Sequence, residues 1–197
     1  MNIDGIILAA GASTRFGQTK QLLTWTGSDG VARPLVRHVT EIALHSNLRR
    51  IYLVLGHDSE KIRMAIAPNQ RLQIVENENF IHGQSTSVHA GVTALETDTD
   101  AAMFLLCDQP KISPDLINKL IALYESDNPL ICLPMAGDRR GNPVIFSKQL
   151  FPELTQISGD TGGRVLINKY LDQASKLALE SAEVFMDIDT ADDLLHG

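Results

Sequence analysis

The sequence predicts an α/β fold in which a mostly parallel central sheet lies between two helical layers. Short apolar runs such as IILAA, IYLVL and MFLLC are continuous rather than alternating, as strands buried on both faces are. Stretches with helical spacing separate them, and a β-α-β-α-β order gives a parallel sheet covered on both sides. At 197 residues and 44% hydrophobic content, the chain fits a single domain with one sizeable core.

The elements follow in order. Ile3–Ala9 is a β-branched run ended by Gly11. Leu35, Val39, Ile42 and Ser46 share one face of a helix over 34–47, with Pro34 suited to its first turn. Strands are expected at Ile51–Leu55, Leu72–Val75, Ala101–Cys107 and Leu130–Pro134, each stopped by Gly, Asp, Asn or Pro. Asp58–Ala67 and Ser87–Leu95 read as shorter helices. Ser113-Pro114-Asp115 is an N-cap followed by a first-turn proline, and apolar residues recur at 117, 120, 121 and 124. After about 135 the pattern loosens. RRGNPVIFS reads as a strand leaving a turn, 148–156 and 162–171 as helices, and KLALE and EVFMDI as late strands. Crossovers are expected to be right-handed, with the ligand at the carboxyl ends of the strands.

A net charge of −7 argues against a general nucleic-acid or anionic-membrane binder, since both need a basic face. Cys107 and Cys132 sit in apolar runs and read as buried free thiols in a reducing, cytoplasmic setting. The N-terminal stretch has Asp4 and no basic region, so no signal peptide is expected, and no run is long enough to span a membrane. The six histidines show no ligand spacing and read as surface or incidental.

The segment after the first strand, Leu8 to Lys20, is rich in small residues, and such a turn lets backbone N–H groups approach phosphates. GxGxxG fails at Ser13, and GxxxxGK[ST] fails at Phe16, with Lys20 three residues past Gly17. What remains is a long loop whose two cations, Arg15 and Lys20, can fold onto a triphosphate. Asp108 closes an apolar strand, where a metal carrying nucleotide phosphates would sit, although Asp before Gln109-Pro110 is also a common turn. Asp187 and Asp189, two apart on an expected strand, point to the same side, whereas Thr190-x-x-Asp193 would make Asp189 part of a helix start. Gly83-Gln84-Ser85-Thr86-Ser87 opens a helix, so its hydroxyls either cap it or bind a base edge or ribose. Arg140-Gly141-Asn142-Pro143 and Gly159-Asp160-Thr161-Gly162-Gly163-Arg164 are glycine turns, and Arg164 is placed to pair with a helix carboxylate.

The string LAAGxSxRFGxxK resembles the signature of the nucleotidyltransferases of the molybdenum-cofactor type, which have a Rossmann-like, glycosyltransferase-A-like fold. The resemblance runs from Ile3 to Leu194 and implies that Leu8, Ala9, Ala10 and Gly11 contact base and ribose. Arg15, Gly17 and Lys20 would hold the phosphates, with Arg15 and Lys20 catalytic. CDQP resembles the family's LxDQP, implying Asp108 as a Mg²⁺ ligand and Gln109 on the nucleotide side. DIDTADDL resembles DIDTPEDL, implying Asp189 as a second metal ligand and Asp187 on the acceptor side. GQSTSVHAGV resembles a pocket-lining segment and adds Gly83, Ser85 and Ser87. The two glycine turns resemble segments that receive the second substrate, which adds Gly141, Asn142, Pro143 and Asp160. Here Asn142 stands where the family usually has His, and Gly163 where it has Ala.

LAAG resembles the cytidylyltransferase branch and LAGG the guanylyltransferase branch. The implied reaction is transfer of CMP from CTP to molybdenum-loaded molybdopterin, giving the cytosine dinucleotide and pyrophosphate. The product would pass to a molybdoenzyme apoprotein or its chaperone. The chain is expected to be one nucleotidyltransferase domain over 1–197, with a nucleotide-binding part to about 110 and an acceptor-binding part beyond. Competing readings are a guanylyltransferase, a cytidylyl- or uridylyltransferase for a sugar or polyol phosphate, and a non-catalytic nucleotide-binding cofactor chaperone.

Overall fold

The computed structural model describes residues 1–12, 19–189 and 192–194. Ten strands are described: β1 (Ile3–Leu8), β2 (Thr24–Thr26), β3 (Ala32–Pro34), β4 (Ile51–Leu55), β5 (Leu72–Glu76), β6 (Ala101–Leu106), β7 (Ile131–Ala136), β8 (Arg139–Arg140), β9 (Val144–Ser147) and β10 (Ser175–Ala178). The α-helices are α1 (Leu35–Leu44), α2 (Ser59–Met64), α3 (Gln84–Thr93), α4 (Pro114–Asp127), α5 (Phe151–Leu154) and α6 (Arg164–Tyr170). None is long and apolar enough to cross a membrane.

The main sheet runs β10-β7-β9-β6-β1-β4-β5, with β8 paired to β7. β5, β4, β1 and β6 are mutually parallel, and β10 is parallel to β7. β9 lies between β6 and β7 and is antiparallel to both, so the sheet is mixed but mostly parallel. Continuous apolar runs were the strand signal because both faces are covered. Along β1, Ile3 and Ile7 enter a core shared with α1, α2 and α4, while Ile6 faces a second core under α3, α5 and α6. β4 and β6 alternate in the same way: Leu53 and Met103 face the first core, Val54 and Phe104 the second.

Two parts depart from expectation. EVFMDI is no strand: Glu183–Phe185 forms a 3-10 turn and 186–189 run extended without a ladder. Its apolar residues are consumed elsewhere, Phe185 against Gly141 and Ile188 in a small cluster with Leu23, Trp25 and Leu35. The β2–β3 hairpin was not anticipated, since strands of three residues give too little alternation; Gly27-Ser28-Asp29-Gly30 was its available turn signal. His38 is also not at the surface. It is buried on α1, its Nε2 lies 3.0 Å from the Pro110 carbonyl, and burial pushes its pKa below the ordinary histidine value. Cys107 and Cys132 are buried free thiols, as expected.

Opposite the carboxyl ends, Asp4 of β1 is completely buried. Its carboxylate accepts from Arg49 Nε and Nη2 at 2.9 and 2.7 Å, from Thr99 Oγ1 at 2.7 Å and from the Arg50 N–H at 3.2 Å. Breaking a buried pair typically costs about 3–5 kcal/mol. Arg49 keeps Asp98 and some solvent, so Asp4→Ala should fall at the lower end of that range. A urea midpoint unchanged from wild type would refute this.

Candidate active site

β1 continues through β4 to β5 on one side, while β6 pairs with its other edge. The order in which strands are added therefore reverses at β1, and a crevice opens beyond the carboxyl ends of β1 and β6. It is a cleft of about 1020 Å³, lined by Leu8 to Ala12, Lys20, Asp108 and Asp189 among others.

Its first wall is the turn after β1. Gln21 donates from Nε2 to the carbonyls of Ala9 and Gly11, at 2.9 and 2.8 Å, and the His57 N–H donates to the Ala10 carbonyl at 3.2 Å. Gly56 approaches this wall closely: a Cβ there would lie 3.0 Å from Ala10 Cβ and 2.7 Å from Phe80 Cβ. Past the loop, Thr19 Oγ1 donates to Asp58, whose backbone is left-handed (φ 53°). The segment after β4 thus grips both ends of the loop. Arg15 and Gly17 lie outside the described residues.

Lys20 is the centre of the charged group. Its Nζ donates to Asp108 Oδ2 at 2.9 Å and to Asp189 Oδ1 at 3.0 Å. The Lys20 side chain is 13% exposed, Asp108 33% and Asp189 63%, so the pair opens toward the cleft. Burial pushes the Lys20 pKa down, but the two carboxylates outweigh it and leave it raised. The Ile188 N–H donates to the Asp108 carbonyl at 2.9 Å, which docks the C-terminal segment beside β6.

That docking gives the two late carboxylates different partners. Asp189 meets Lys20, while Asp187 accepts from Gln109 Nε2 at 2.8 Å and does not line the cleft. The expectation of a strand here is corrected, because the segment is not in a ladder; with Ile188 buried between them, Asp187 remains within electrostatic reach of Asp108, Asp189 and Lys20. Burial, with Asp108 and Asp189 nearby, raises the Asp187 pKa. Gln109 is buried and likewise positions Asp187 rather than lining the cleft.

α3 begins at Gln84, three residues before the expected start, because Gly83 (φ 106°) turns the chain. A Cβ at Gly83 would lie 2.8 Å from the Gly159 carbonyl group, so the helix start is pressed onto the 159–162 turn. The Ser85 N–H donates to the Gly159 carbonyl at 3.1 Å, and the Gln84 N–H to Asp160 Oδ1 at 3.2 Å. Asp160 thus steadies α3 as well as lining the cleft. Gly83 and Ser87 line the cleft, and Ser87 Oγ accepts from Asn77 Nδ2 at 3.0 Å. Ser85 is buried and does not line it.

A second pocket of about 160 Å³ shares Leu8, Gln84 and Leu106 with the cleft. Gly141 and Asn142 line it; Pro143 is buried beside them without lining it. Gln21, Asp58 and Asn77, which hold the walls, carried no motif that could have marked them in the sequence.

Among the described residues no group of three or more His, Cys, Asp or Glu is arranged to hold a metal. Asp108 and Asp189 nonetheless converge on one cation, the Lys20 ammonium. Carboxylate oxygens of this kind suit Mg²⁺, which is commonly held by one or two carboxylates together with substrate phosphates. The donor set fits such an ion.

Known proteins are similar to this chain over nearly its whole length. The chain is 28% identical to the molybdenum cofactor cytidylyltransferase of Escherichia coli K12 over 98% of this chain and 94% of that one. It is 29% identical to the purine catabolism protein PucB of Bacillus subtilis 168 over 96% and 92%. The crystal structure of Rv0371c from Mycobacterium tuberculosis H37Rv superposes with a TM-score of 0.85 at 26% identity, covering 100% of this chain and 97% of that one. A structure of Rv0371c in complex with manganese superposes with a TM-score of 0.80 at 25% identity, covering 100% and 97%. Residues 5–174 match the MobA-like NTP transferase domain, and the chain belongs to that family of nucleotidyltransferases.

Proposed function

We propose that this nucleotidyltransferase transfers CMP from CTP to molybdenum-loaded molybdopterin, releasing pyrophosphate, with Mg²⁺ as its metal. The observation that carries the reading is the Lys20 ammonium held between Asp108 and Asp189 at the mouth of the β1–β6 crevice. The similarity to a molybdenum cofactor cytidylyltransferase across nearly the whole chain supports the choice of nucleotide and acceptor. So does Leu8-Ala9-Ala10-Gly11 in the first turn. The whole chain acts as one domain in this reading. Its two functional parts interleave, since Asp160 and Asp189 line the first cleft and Leu8 lines the second pocket.

In the reaction, a phosphate oxygen of the acceptor attacks the α-phosphorus of CTP in line. The bond to the β-phosphate oxygen breaks and pyrophosphate leaves. A phosphate monoester is largely ionised at neutral pH, so no protein base is needed. Catalysis is then positioning and charge stabilisation. Leu8 to Gly11, with Gly83 and Ser87, hold base and ribose. Lys20, with Arg15 and Gly17 of the loop, steadies the phosphates. Asp108 and Asp189 hold the metal, which when bound neutralises charge on the phosphate oxygens. Ser85, Gln109 and Asp187 act from behind, as supports of the walls. Gly141, Asn142, Pro143 and Asp160 belong to the acceptor side, and the product passes to a molybdoenzyme apoprotein or its chaperone.

The direct test is pyrophosphate release with CTP or GTP, Mg²⁺ and molybdenum-loaded molybdopterin. Release with CTP and not GTP is expected. Preference for GTP would make the chain a guanylyltransferase, an activity that Vibrio parahaemolyticus shows in a relative 22% identical over 96% of this chain. CTP binding without release would leave a nucleotide-binding carrier. In this reading the methyl of Ala10, which is buried beside Gly56 and lines the cleft, takes space that a purine would need. Differences of methylene scale are worth about 10–200-fold. Ala10→Gly should therefore relax the CTP/GTP ratio of kcat/KM by no more than that, and an unchanged ratio would remove Ala10 from base selection.

A further inference from the structure

Asn77 follows β5 directly, at the carboxyl end of the parallel strands, the side on which the cleft opens. Its N–H donates to the Leu55 carbonyl at 2.8 Å, which carries the β4–β5 pairing one residue past the strand. The residue is buried and its side chain makes three hydrogen bonds. Oδ1 accepts from the Asn79 N–H at 3.0 Å, while Nδ2 donates to Thr86 Oγ1 at 2.9 Å and to Ser87 Oγ at 3.0 Å.

The direction of these bonds is fixed. A backbone N–H only donates, so the amide oxygen must face Asn79, and the amide NH₂ is left for the two hydroxyls. Thr86 requires the same orientation. Its single proton is within reach of the Gly83 and Asn79 carbonyls, at 2.9 and 3.1 Å, so toward Asn77 its oxygen accepts. Ser87 Oγ accepts from Asn77 as well, which leaves the Ser87 proton to be given elsewhere. Among the described residues nothing takes it. Ser87 is buried and lines the cleft, and a buried donor left unpaired is costly. Its acceptor therefore has to come from the ligand.

We propose that Asn77 is a positioning residue for base selection: it occupies the Ser87 oxygen, so that Ser87 offers its proton to an acceptor on the base edge of the nucleotide. This deepens the CMP-transfer reading above and rests on it, since that reading puts Ser87 against the nucleotide. Cytosine presents two neighbouring acceptors, N3 and O2. Guanine carries N1–H and N2–H donors along the corresponding edge and meets the Ser87 proton with protons of its own. A site of fixed hydrogen-bond polarity discriminates more strongly than one that differs by a methyl group. Asn77 thus selects by polarity where Ala10 selects by volume.

The test measures binding of CTP and of GTP with Mg²⁺ by calorimetry, with no acceptor present. It compares wild type, Asn77→Asp, Ser87→Ala and the double variant at mildly alkaline pH, where the new carboxylate is ionised. Asn77→Asp keeps an oxygen for the Asn79 N–H but has no proton to give. Its carboxylate takes the Ser87 proton and leaves only lone pairs toward the cleft. The ratio of CTP to GTP affinity then falls by about tenfold or more, the scale of one buried hydrogen bond left unmade. The added negative charge repels both triphosphates alike, so the ratio isolates the base. Ser87→Ala lowers the ratio by a similar factor, and in that background Asn77→Asp changes it no further, a coupling that a merely structural role would not produce. Urea midpoints show which variants are folded, and Ser87→Ala, which loses a single oxygen, carries the test if Asn77→Asp does not fold. An unchanged ratio in either single variant, or independent effects of the two, would overturn the proposal. Contact with ribose alone gives the unchanged ratio, because a ribose hydroxyl accepts as readily as it donates. Coupled loss of CTP preference without pyrophosphate release onto molybdopterin would uphold Asn77 and reject the transfer reading. CMP transfer with unchanged ratios would do the reverse.

Discussion

Lys20→Ala is expected to lower kcat for pyrophosphate release by about 10²–10³-fold, the loss typical when one fixed donor to a developing charge is removed. In the proposed reaction the ammonium acts on charge that grows in the transition state, so kcat and kcat/KM should fall together and KM for CTP should move little. Lys20→Arg restores the charge but replaces a compact ammonium with a planar fork, so only part of the rate should return. A near-normal rate for Lys20→Ala would end the catalytic assignment.

The same substitution has a pH signature in stability. Lys20 has a folded pKa raised above its ordinary 10.5 because Asp108 and Asp189 outweigh burial. A raised folded pKa means that its pairing stabilises the fold fully below 10.5 and ceases to do so as pH climbs through the folded value. The stability gap between wild type and Lys20→Ala should hold at neutral and mildly alkaline pH and close above the ordinary lysine range. Denaturant titrations across that range measure it; a gap that widens with alkalinity would contradict the pairing.

Asp108→Asn preserves shape and one hydrogen-bonding oxygen but removes the charge. Lys20 then keeps Asp189 as its ionic partner, so the fold should survive. Removing a hydrogen-bond partner of a metal ligand alone costs about 10–100-fold in metal affinity. Losing the ligand proposed here should weaken apparent Mg²⁺ affinity by at least the upper figure, with turnover falling by about 10²–10³-fold even at high Mg²⁺. A Mg²⁺ titration of pyrophosphate release gives both numbers. Ordinary Mg²⁺ dependence in Asp108→Asn would move the metal site elsewhere.

The two carboxylates Asp187 and Asp189 show where the sequence stopped being informative. Period-two reasoning puts them on one side, provided the chain there is a strand. The chain there is no strand: Ile188 drops into the cluster formed by Leu23, Trp25 and Leu35, and its N–H bonds to the Asp108 carbonyl. That cluster depends on a hairpin more than 150 residues earlier, by the residue numbers themselves. Local pattern cannot carry such a contact. Ser85 and Gln109 make the same point, since both sit in legible motifs yet turn into the protein. His38 looked incidental because nothing around it in the chain foretells the Pro110 carbonyl it meets.

The sequence by itself determined the α/β class, the strands β1, β4 and β6, and where the cleft at their carboxyl ends would open. Those features follow from burial on both faces and from the small residues and charges that interrupt the runs, all of which are local in the chain. Only the tertiary structure decided that β9 enters antiparallel between β6 and β7, and that Asp189 rather than Asp187 meets Lys20. Side-chain direction and pairing at these places are set by packing between segments far apart in the chain.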